Sequence, residues 1–166
     1  MPKSDQGVTD DRYKVIPRTL IFITRDDQIL LIKGAPHKRL WANLYNGIGG
    51  HIEQGEDVST AARRELKEET GLNISDLWLC GTVLVDASDG IGIAIYILRC
   101  EYNGGKLLES EEGTLEWVSR KEIMSLPLVE DLPMLLPQIM DMKPGDPPFS
   151  ARSGYDKEDR LFVRFG

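Results

Sequence analysis

The segment from Asp57 to Gly71 restricts the fold of this chain more than any other segment. Residues 58–70 mix helix-forming charged residues with apolar ones at helical spacing, and the apolar members are Ala61, Ala62 and Leu66. Asp57 stands where an N-cap is favoured, and Gly71 stands where a left-handed glycine ends a helix. We therefore predict a helix over residues 58–70.

Three carboxylates share one face of this predicted helix. Glu65, Glu68 and Glu69 stand at positions i, i+3 and i+4, so their Cβ atoms lie about 5–6 Å apart. Like charges this close repel, and without a cation at least one of the pKa values rises. Mg²⁺ takes oxygen ligands and is usually held by one or two carboxylates, water and substrate phosphates. A solvated acidic face is the commoner meaning of this spacing, so the surrounding residues decide between the two.

Those surrounding residues complete a motif. The sequence from 50 to 72 matches the pattern G-x(5)-E-x(7)-R-E-U-x-E-E-x-G-U, where U is aliphatic, at Gly50, Glu56, Arg64, Glu65, Leu66, Glu68, Glu69, Gly71 and Leu72. A chance match in such a chain has a probability on the order of one in ten million. The pattern is the Nudix box, and the chain therefore resembles the Nudix hydrolases. The stretch from Tyr45 to Gly50 further resembles the W-N-G-F-G-G segment of MutT-type hydrolases of oxidised purine nucleoside triphosphates.

The resemblance implies roles for the residues of the box. Glu65, Glu68 and Glu69 would ligate Mg²⁺, or Mn²⁺ as a substitute, and one of them would act as the base or relay protons to it. The carbonyl of Gly49 would join the metal ligands. Arg64 would orient the catalytic carboxylates through a salt bridge.

Outside the box, the resemblance indicates further candidates. Glu112 would supply another acidic metal ligand or the base, although a solvated acidic turn is the alternative. Asn46, together with a second pair, Glu130 and Asp131, would contact the purine. A turn asparagine and a charge at a helix start are the plainer explanations. Lys38 and Arg39 would meet phosphates at the mouth of the cleft, or lie as ordinary basic residues on an exposed loop.

The remaining pattern predicts an α+β fold. Strands are expected at 15–23, 29–32, 47–53, 77–86, 91–101 and 116–118, with loops at 24–28 and 34–46, a turn at Asp89-Gly90 and a final hairpin over 149–165. A helical turn is expected at 120–125 and a second helix at 130–142, which Pro137 should shift or break. The resemblance implies a Nudix α/β/α sandwich with a mixed sheet between helices. We expect one domain over residues 1–166, with residues 1–11 flexible.

Composition limits the partners. The net charge of −7 disfavours a duplex nucleic-acid binder, and an acidic protein that handles phosphates needs a cation. The longest apolar run is too short to span a membrane, and no signal peptide is expected. Cys80 and Cys100 stand in strand-like runs, which indicates two buried free thiols and a cytoplasmic location. Relatives are frequently dimers, so the resemblance leaves a homodimer open.

Three functions remain after these arguments. The first is hydrolysis of a purine nucleoside triphosphate, oxidised or not, to the monophosphate and pyrophosphate. The second is hydrolysis of ADP-ribose, a sugar nucleotide or a dinucleotide at its phosphoanhydride bond. The third is a non-catalytic regulator that binds a nucleotide, which the complete set of box carboxylates disfavours.

Overall fold

One mixed sheet with a helix on each face dominates the computed structural model, which describes residues 2–88, 90–108 and 111–166. The strands in this part of the chain are β1 (Lys14–Arg25), β2 (Gln28–Gly34), β3 (Tyr45–Asn46), β4 (Trp78–Ser88), β5 (Ile91–Glu101), β6 (Gly113–Ser119), β7 (Phe149–Tyr155) and β8 (Leu161–Phe165). The α-helices are α1 (Val58–Thr70) and α2 (Leu132–Asp141). Short 3₁₀ helices cover Lys3–Gln6 and Ile123–Ser125.

The strand order is β3-β2-β1-β5-β4-β7-β8, and β6 pairs with β2. The pairs β1–β5 and β4–β7 are parallel, whereas the other pairs of strands are antiparallel. The predicted α+β class and mixed sheet are therefore confirmed. None of the described helices is long and apolar enough to cross a membrane.

The two faces of the sheet carry separate apolar cores. On one face, Leu66 and Ala62 of α1 pack on alternate residues of β1 such as Ile21 and Ile23. On the other face, the buried side chains of α2 pack on Phe22 and its neighbours, and they are Leu132, Leu135, Leu136 and Ile139. The period-two alternation along β1 thus feeds both cores, and the sheet lies between the helices.

Helix α1 begins and ends where the sequence predicts. The Asp57 carboxylate accepts a hydrogen bond from the Thr60 N–H at 2.9 Å and caps the first turn. Gly71 has a φ of +76° and donates its N–H to the carbonyl of Lys67 at 2.9 Å. Both ends of the helix that carries the acidic residues are therefore fixed by local chemistry.

The glycine-rich segment differs from its prediction. A strand was expected over residues 47–53, but regular pairing covers only Tyr45–Asn46, and beyond it Ile48 and His51 form isolated bridges to β1. Gly49 explains the difference, because its φ of +145° departs from strand geometry. A Cβ at Gly49 would lie 2.3 Å from the carbonyl oxygen of Thr19. The backbone at this point therefore approaches β1 as only glycine can.

Two other predictions were wrong in extent. The loop expected at 24–28 shrinks to a turn at Asp26 and Asp27, because Arg25 and Gln28 still pair across the hairpin. Helix α2 continues through Pro137 rather than breaking. Because proline has no backbone N–H, the helix loses one hydrogen bond to a carbonyl of its first turn. The burial of four leucine and isoleucine side chains on the sheet outweighs this loss.

The other predicted features are the final hairpin, the two free cysteines, the N-terminal segment and one turn. The final hairpin is confirmed as β7 and β8. Cys80 and Cys100 are buried and free, as expected. A short 3₁₀ helix, Lys3–Gln6, lies within the N-terminal segment that was expected to be flexible. Asp89 of the expected Asp89-Gly90 turn lies outside the described residues.

A buried arginine ties α2 to the sheet. Arg99 of β5 is only 8% exposed, and its Nη1 donates to the carbonyls of Ile139 at 2.9 Å and Met142 at 2.8 Å. These carbonyls belong to the last turn of α2 and to its C-cap, where helix carbonyls lack intrahelical donors. Arg99 therefore satisfies buried acceptors that water does not reach.

We predict that Arg99→Met lowers the free energy of unfolding by about 2–4 kcal/mol, because it leaves buried carbonyls without a donor. The matched control is Arg120→Met at the same helix end, where Arg120 pairs with Asp141 at the exposed surface and should contribute less than about 1 kcal/mol. Urea unfolding of both variants measures the difference. Equal losses would show that Arg99 is not a buried cap.

Candidate active site

A cleft with two adjoining lobes lies beside the glycine-rich segment. The larger lobe has a volume of about 330 Å³, within the range of small-molecule sites, and its polar lining includes Arg18, Asn46, Glu130, Asp131, Ser153 and Tyr155. The smaller lobe has a volume of about 50 Å³ and includes Lys38, Glu69 and Glu112. The lobes share Trp41, Leu44, Asn46, Gly47 and Gly49, so one extended ligand can occupy both.

Arg64 organises the carboxylates of α1. Its Nε and Nη2 donate to the two oxygens of Glu56 at 2.8 and 2.9 Å, and its Nη1 donates to Glu65 at 2.7 Å and Glu68 at 3.2 Å. Nη2 also donates to the carbonyl of His51 at 3.0 Å. The fork between Arg64 and Glu56 lowers the pKa of Glu56 to about 2. Glu56 therefore stays ionised and holds the guanidinium in the orientation that reaches Glu65.

Glu65 and Glu69 contact the glycine-rich segment directly. The Glu65 carboxylate packs against Gly50, where a Cβ would lie 2.5 Å from its Oε1. Glu69 Oε2 accepts the N–H of Gly49 at 3.0 Å. Burial raises the pKa of Glu69 to about 7, and the negative charges of Glu65 and Glu112 add to the rise. This side of the cleft therefore holds more negative charge than it can stabilise alone.

The residues fit a hard divalent cation. Carboxylate and carbonyl oxygens are the ligands that Mg²⁺ and Mn²⁺ prefer, and a cation would stabilise the ionised form of Glu69, whose pKa burial raises. Among the described residues, no three Asp, Glu, His or Cys side chains already converge on one point. Arg64 contacts one carboxylate oxygen of Glu65 and one of Glu68. The ligand roles of Gly49, Glu65, Glu68 and Glu69 therefore stay predictions.

The other sequence candidates divide into those in the cleft and those outside it. Glu112 lies in the smaller lobe with Glu69, and it forms an ion pair with Lys38. Lys38 therefore lies at the cleft, and its contact with phosphates stays a prediction. Arg39 is exposed and is not among the described residues that line either lobe. Glu68 is also largely exposed, at 60% of its side chain.

The three candidates for base contact meet in the larger lobe. Asn46 Oδ1 accepts the N–H of Gly47 at 2.8 Å, and its amide NH₂ is a donor. Tyr155 Oη donates to Glu130 Oε2 at 3.0 Å. Burial raises the pKa of Asp131, and the charge of Glu130 adds to the rise. The lobe thus combines an amide donor with two acidic side chains.

Sequence reasoning missed the residues that other strands bring to this lobe. Arg18 comes from β1, while Ser153 and Tyr155 come from β7. These strands lie near opposite ends of the sequence, and the residues belong to no local motif. Only the sheet order, with β1 and β7 on either side of β5 and β4, brings them together.

Comparisons with known proteins identify a matching domain, similar sequences and a similar structure. Residues 14–139 match the NUDIX domain. Two relatives named oxidized purine nucleoside triphosphate hydrolase are 31% identical in Danio rerio, covering 60% of this chain and 63% of that protein, and 27% identical in Mus musculus, covering 75% and 80%. The crystal structure of the MutT protein from Bacillus halodurans superposes with a TM-score of 0.76 at 21% identity, covering 91% of this chain and 97% of that chain. This last likeness supports the fold.

We predict a specific pH dependence for the metal-free protein. The pKa of Glu69 is raised from 4.5 to about 7, so its protonated form stabilises the fold below about pH 4.5, and this contribution is lost as the pH rises through 7. In EDTA, the melting temperature of the wild type should therefore fall more between pH 5 and pH 8 than that of Glu69→Gln. Glu68→Gln, which changes an exposed carboxylate, is the control and should keep most of the wild-type fall. If the melting temperature of Glu69→Gln fell as much as that of the wild type, the assignment of the raised pKa to Glu69 would be contradicted.

Proposed function

This chain belongs to the NUDIX family, and on that premise we propose that it hydrolyses purine nucleoside triphosphates, oxidised ones included, to the monophosphate and pyrophosphate. The observation that carries the proposal is the continuity of the cleft. Asn46, Glu130 and Asp131 line the larger lobe. Gly49 lines both lobes, and Glu69 lines the smaller one. A nucleotide whose base lies in the larger lobe would have its phosphates beside the acidic helix. The two relatives named for oxidised purine triphosphates support this class of substrate.

Each part of the site has a separate task in this reaction. Glu65 and Glu69 would hold Mg²⁺, with Glu68 completing the ligand set. When bound, the ion neutralises the phosphates and lowers the pKa of the attacking water. Arg64 would keep Glu65 in place, because it is itself locked by Glu56.

Proton transfer requires a carboxylate close to the attacking water. Glu69 and Glu112 both line the smaller lobe, so either can accept the proton. Lys38 pairs with Glu112 in the free protein and would be drawn to a phosphate in the complex. Water then attacks one of the two phosphorus atoms of the α–β phosphoanhydride, the bond to the bridging oxygen breaks, and the monophosphate and pyrophosphate separate. Positioning of charge is the main contribution of the protein.

Base recognition depends on the donors and acceptors of the larger lobe. The Asn46 oxygen is occupied by Gly47, so the NH₂ group is the part of the amide that can meet an acceptor on the base. Glu130 and Asp131 can accept hydrogen bonds from base N–H groups. A purine presents hydrogen-bonding groups along both its Watson–Crick edge and its N7 edge, so it can meet this set from more than one side, which a pyrimidine cannot.

A substrate panel tests the proposed function. Purine and pyrimidine triphosphates, 8-oxopurine triphosphates, ADP-ribose, a sugar nucleotide and a dinucleotide are incubated with Mg²⁺, and pyrophosphate and phosphate release are measured separately. We expect a purine triphosphate to give the highest kcat/KM and to release pyrophosphate. Faster hydrolysis of ADP-ribose or a dinucleotide would assign the second class. Tight binding without turnover of any compound would indicate a regulator.

We predict that activity requires a divalent metal and that Glu69→Gln lowers kcat by at least about 100-fold, because it removes a charged oxygen ligand or the base. Chelation with EDTA should abolish turnover, and added Mg²⁺ or Mn²⁺ should restore it. The control is Glu122→Gln, an exposed acidic residue remote from the cleft, which should keep wild-type turnover. Full activity in EDTA would refute the metal requirement.

We also predict that Asn46→Ala lowers kcat/KM for the preferred purine by about 3- to 10-fold, since one hydrogen bond to an uncharged partner contributes roughly 0.5–1.5 kcal/mol. The loss should be much smaller for a pyrimidine triphosphate, which does not present the same edge. Steady-state kinetics on both substrates measure the ratio. An equal loss for both would mean that Asn46 only shapes the loop through Gly47.

A further inference from the structure

Arg18 is a cation without a counter-ion in the wall of the cleft. Its side chain is half-buried, it lines the larger lobe, and among the described residues no carboxylate lies within ion-pair distance of it. It is also the only Lys or Arg among the described residues that line this lobe. In a chain with a net charge of −7, an unpaired cation at this place is unusual. Removing a charged group from water costs free energy unless a charged or hydrogen-bonding partner compensates for the lost hydration.

The guanidinium is held in place by uncharged partners. Nε and Nη2 both point to His51 Nε2, at 3.1 and 2.9 Å, so the ring nitrogen accepts from one edge of the guanidinium. The Trp41 ring lies with its centroid 5.9 Å from Cζ. Trp41 has a φ of +61°, a conformation that bulky residues rarely adopt, so the loop places this ring at a cost. Two neighbours thus fix Arg18 without neutralising it.

The position of Arg18 lies between the two ends of the cleft. His51, its partner, gives its carbonyl to Arg64, the residue that holds Glu65. Gly50, the neighbour of His51, lines the larger lobe and packs against Glu65. Arg18 therefore lies on the side of the larger lobe that adjoins the acidic helix, where the phosphates of a bound nucleotide would come within its reach.

We infer that Arg18 is a substrate-positioning residue that binds a phosphate of the substrate, with His51 and Trp41 orienting its guanidinium. The inference rests on the proposed function, because it assigns the phosphate contact of the same cleft. The guanidinium keeps Nη1 and part of Nη2 for the ligand, and its planar fork matches phosphate oxygens. Arg18 thus complements Lys38, the cation of the smaller lobe, whose charge is shared with Glu112.

Calorimetric binding of inorganic tripolyphosphate in the presence of Mg²⁺ tests the contact without a base. We expect Arg18→Gln to weaken the affinity by about tenfold or more, as loss of a charge-assisted hydrogen bond requires. The affinity of Arg18→Lys for tripolyphosphate should lie between those of the wild type and Arg18→Gln, because lysine keeps the charge but lacks the planar fork of the guanidinium. Arg120→Gln, which removes an exposed arginine on another face, should bind as the wild type does. Melting temperatures show whether each variant is folded. If Arg18→Gln does not fold, the affinity of Arg18→Lys tests the phosphate contact instead.

The outcomes separate this inference from the proposed function. Equal tripolyphosphate affinity in the wild type and the Arg18 variants, or no binding by the wild type, overturns the phosphate contact even if triphosphates are hydrolysed. An equal loss of affinity for guanosine, which has no phosphate, also overturns it and makes Arg18 a structural residue. Conversely, a tenfold loss for tripolyphosphate in a protein that hydrolyses no triphosphate supports Arg18 and refutes the proposed function.

Discussion

The contact between α1 and the glycine-rich segment is the constraint on which the rest of the site depends. Glu69 binds the N–H of Gly49, and Glu65 packs on Gly50 where no Cβ could be accommodated. The same segment inserts beside β1 through the paired N–H and carbonyl groups of Ile21 and Ile48. A single stretch of backbone therefore links the acidic helix to the sheet, and the lobes of the cleft form on either side of it.

Charge balance explains why Arg64 is central to this contact. Burial raises the pKa of Glu69, and the nearby charges of Glu65 and Glu112 add to the rise, so a cation would stabilise its ionised form. Arg64 neutralises part of this charge through Glu65 and Glu68, while Glu56 fixes its orientation. Glu69 has no such arginine partner among the described residues. Of the two carboxylates that contact the glycine-rich segment, Glu65 is therefore paired with an arginine and Glu69 is not.

The sequence predicts the elements whose causes are local. Asp57 and Gly71 bound α1 through hydrogen bonds to residues within four positions, so spacing alone was enough to place the helix. Prediction failed where distant contacts decide. The backbone of Gly49 is shaped by its close approach to Thr19, thirty residues earlier, and α2 tolerates Pro137 because the sheet buries its other face. Neither contact leaves a trace in the neighbouring sequence.

The same distinction separates the two ends of the cleft. The carboxylates of α1 belong to one continuous motif, which is why they could be named together before the structure. The larger lobe is assembled from Asn46, the Glu130 and Asp131 pair, and β7, and the one cation among the described residues that line it comes from β1. Substitutions in any of these segments can change the ligand without touching the motif. The reaction class of such a chain can therefore be inferred from its motif, whereas the choice of substrate is a property of the sheet order and of the side chains that it brings together.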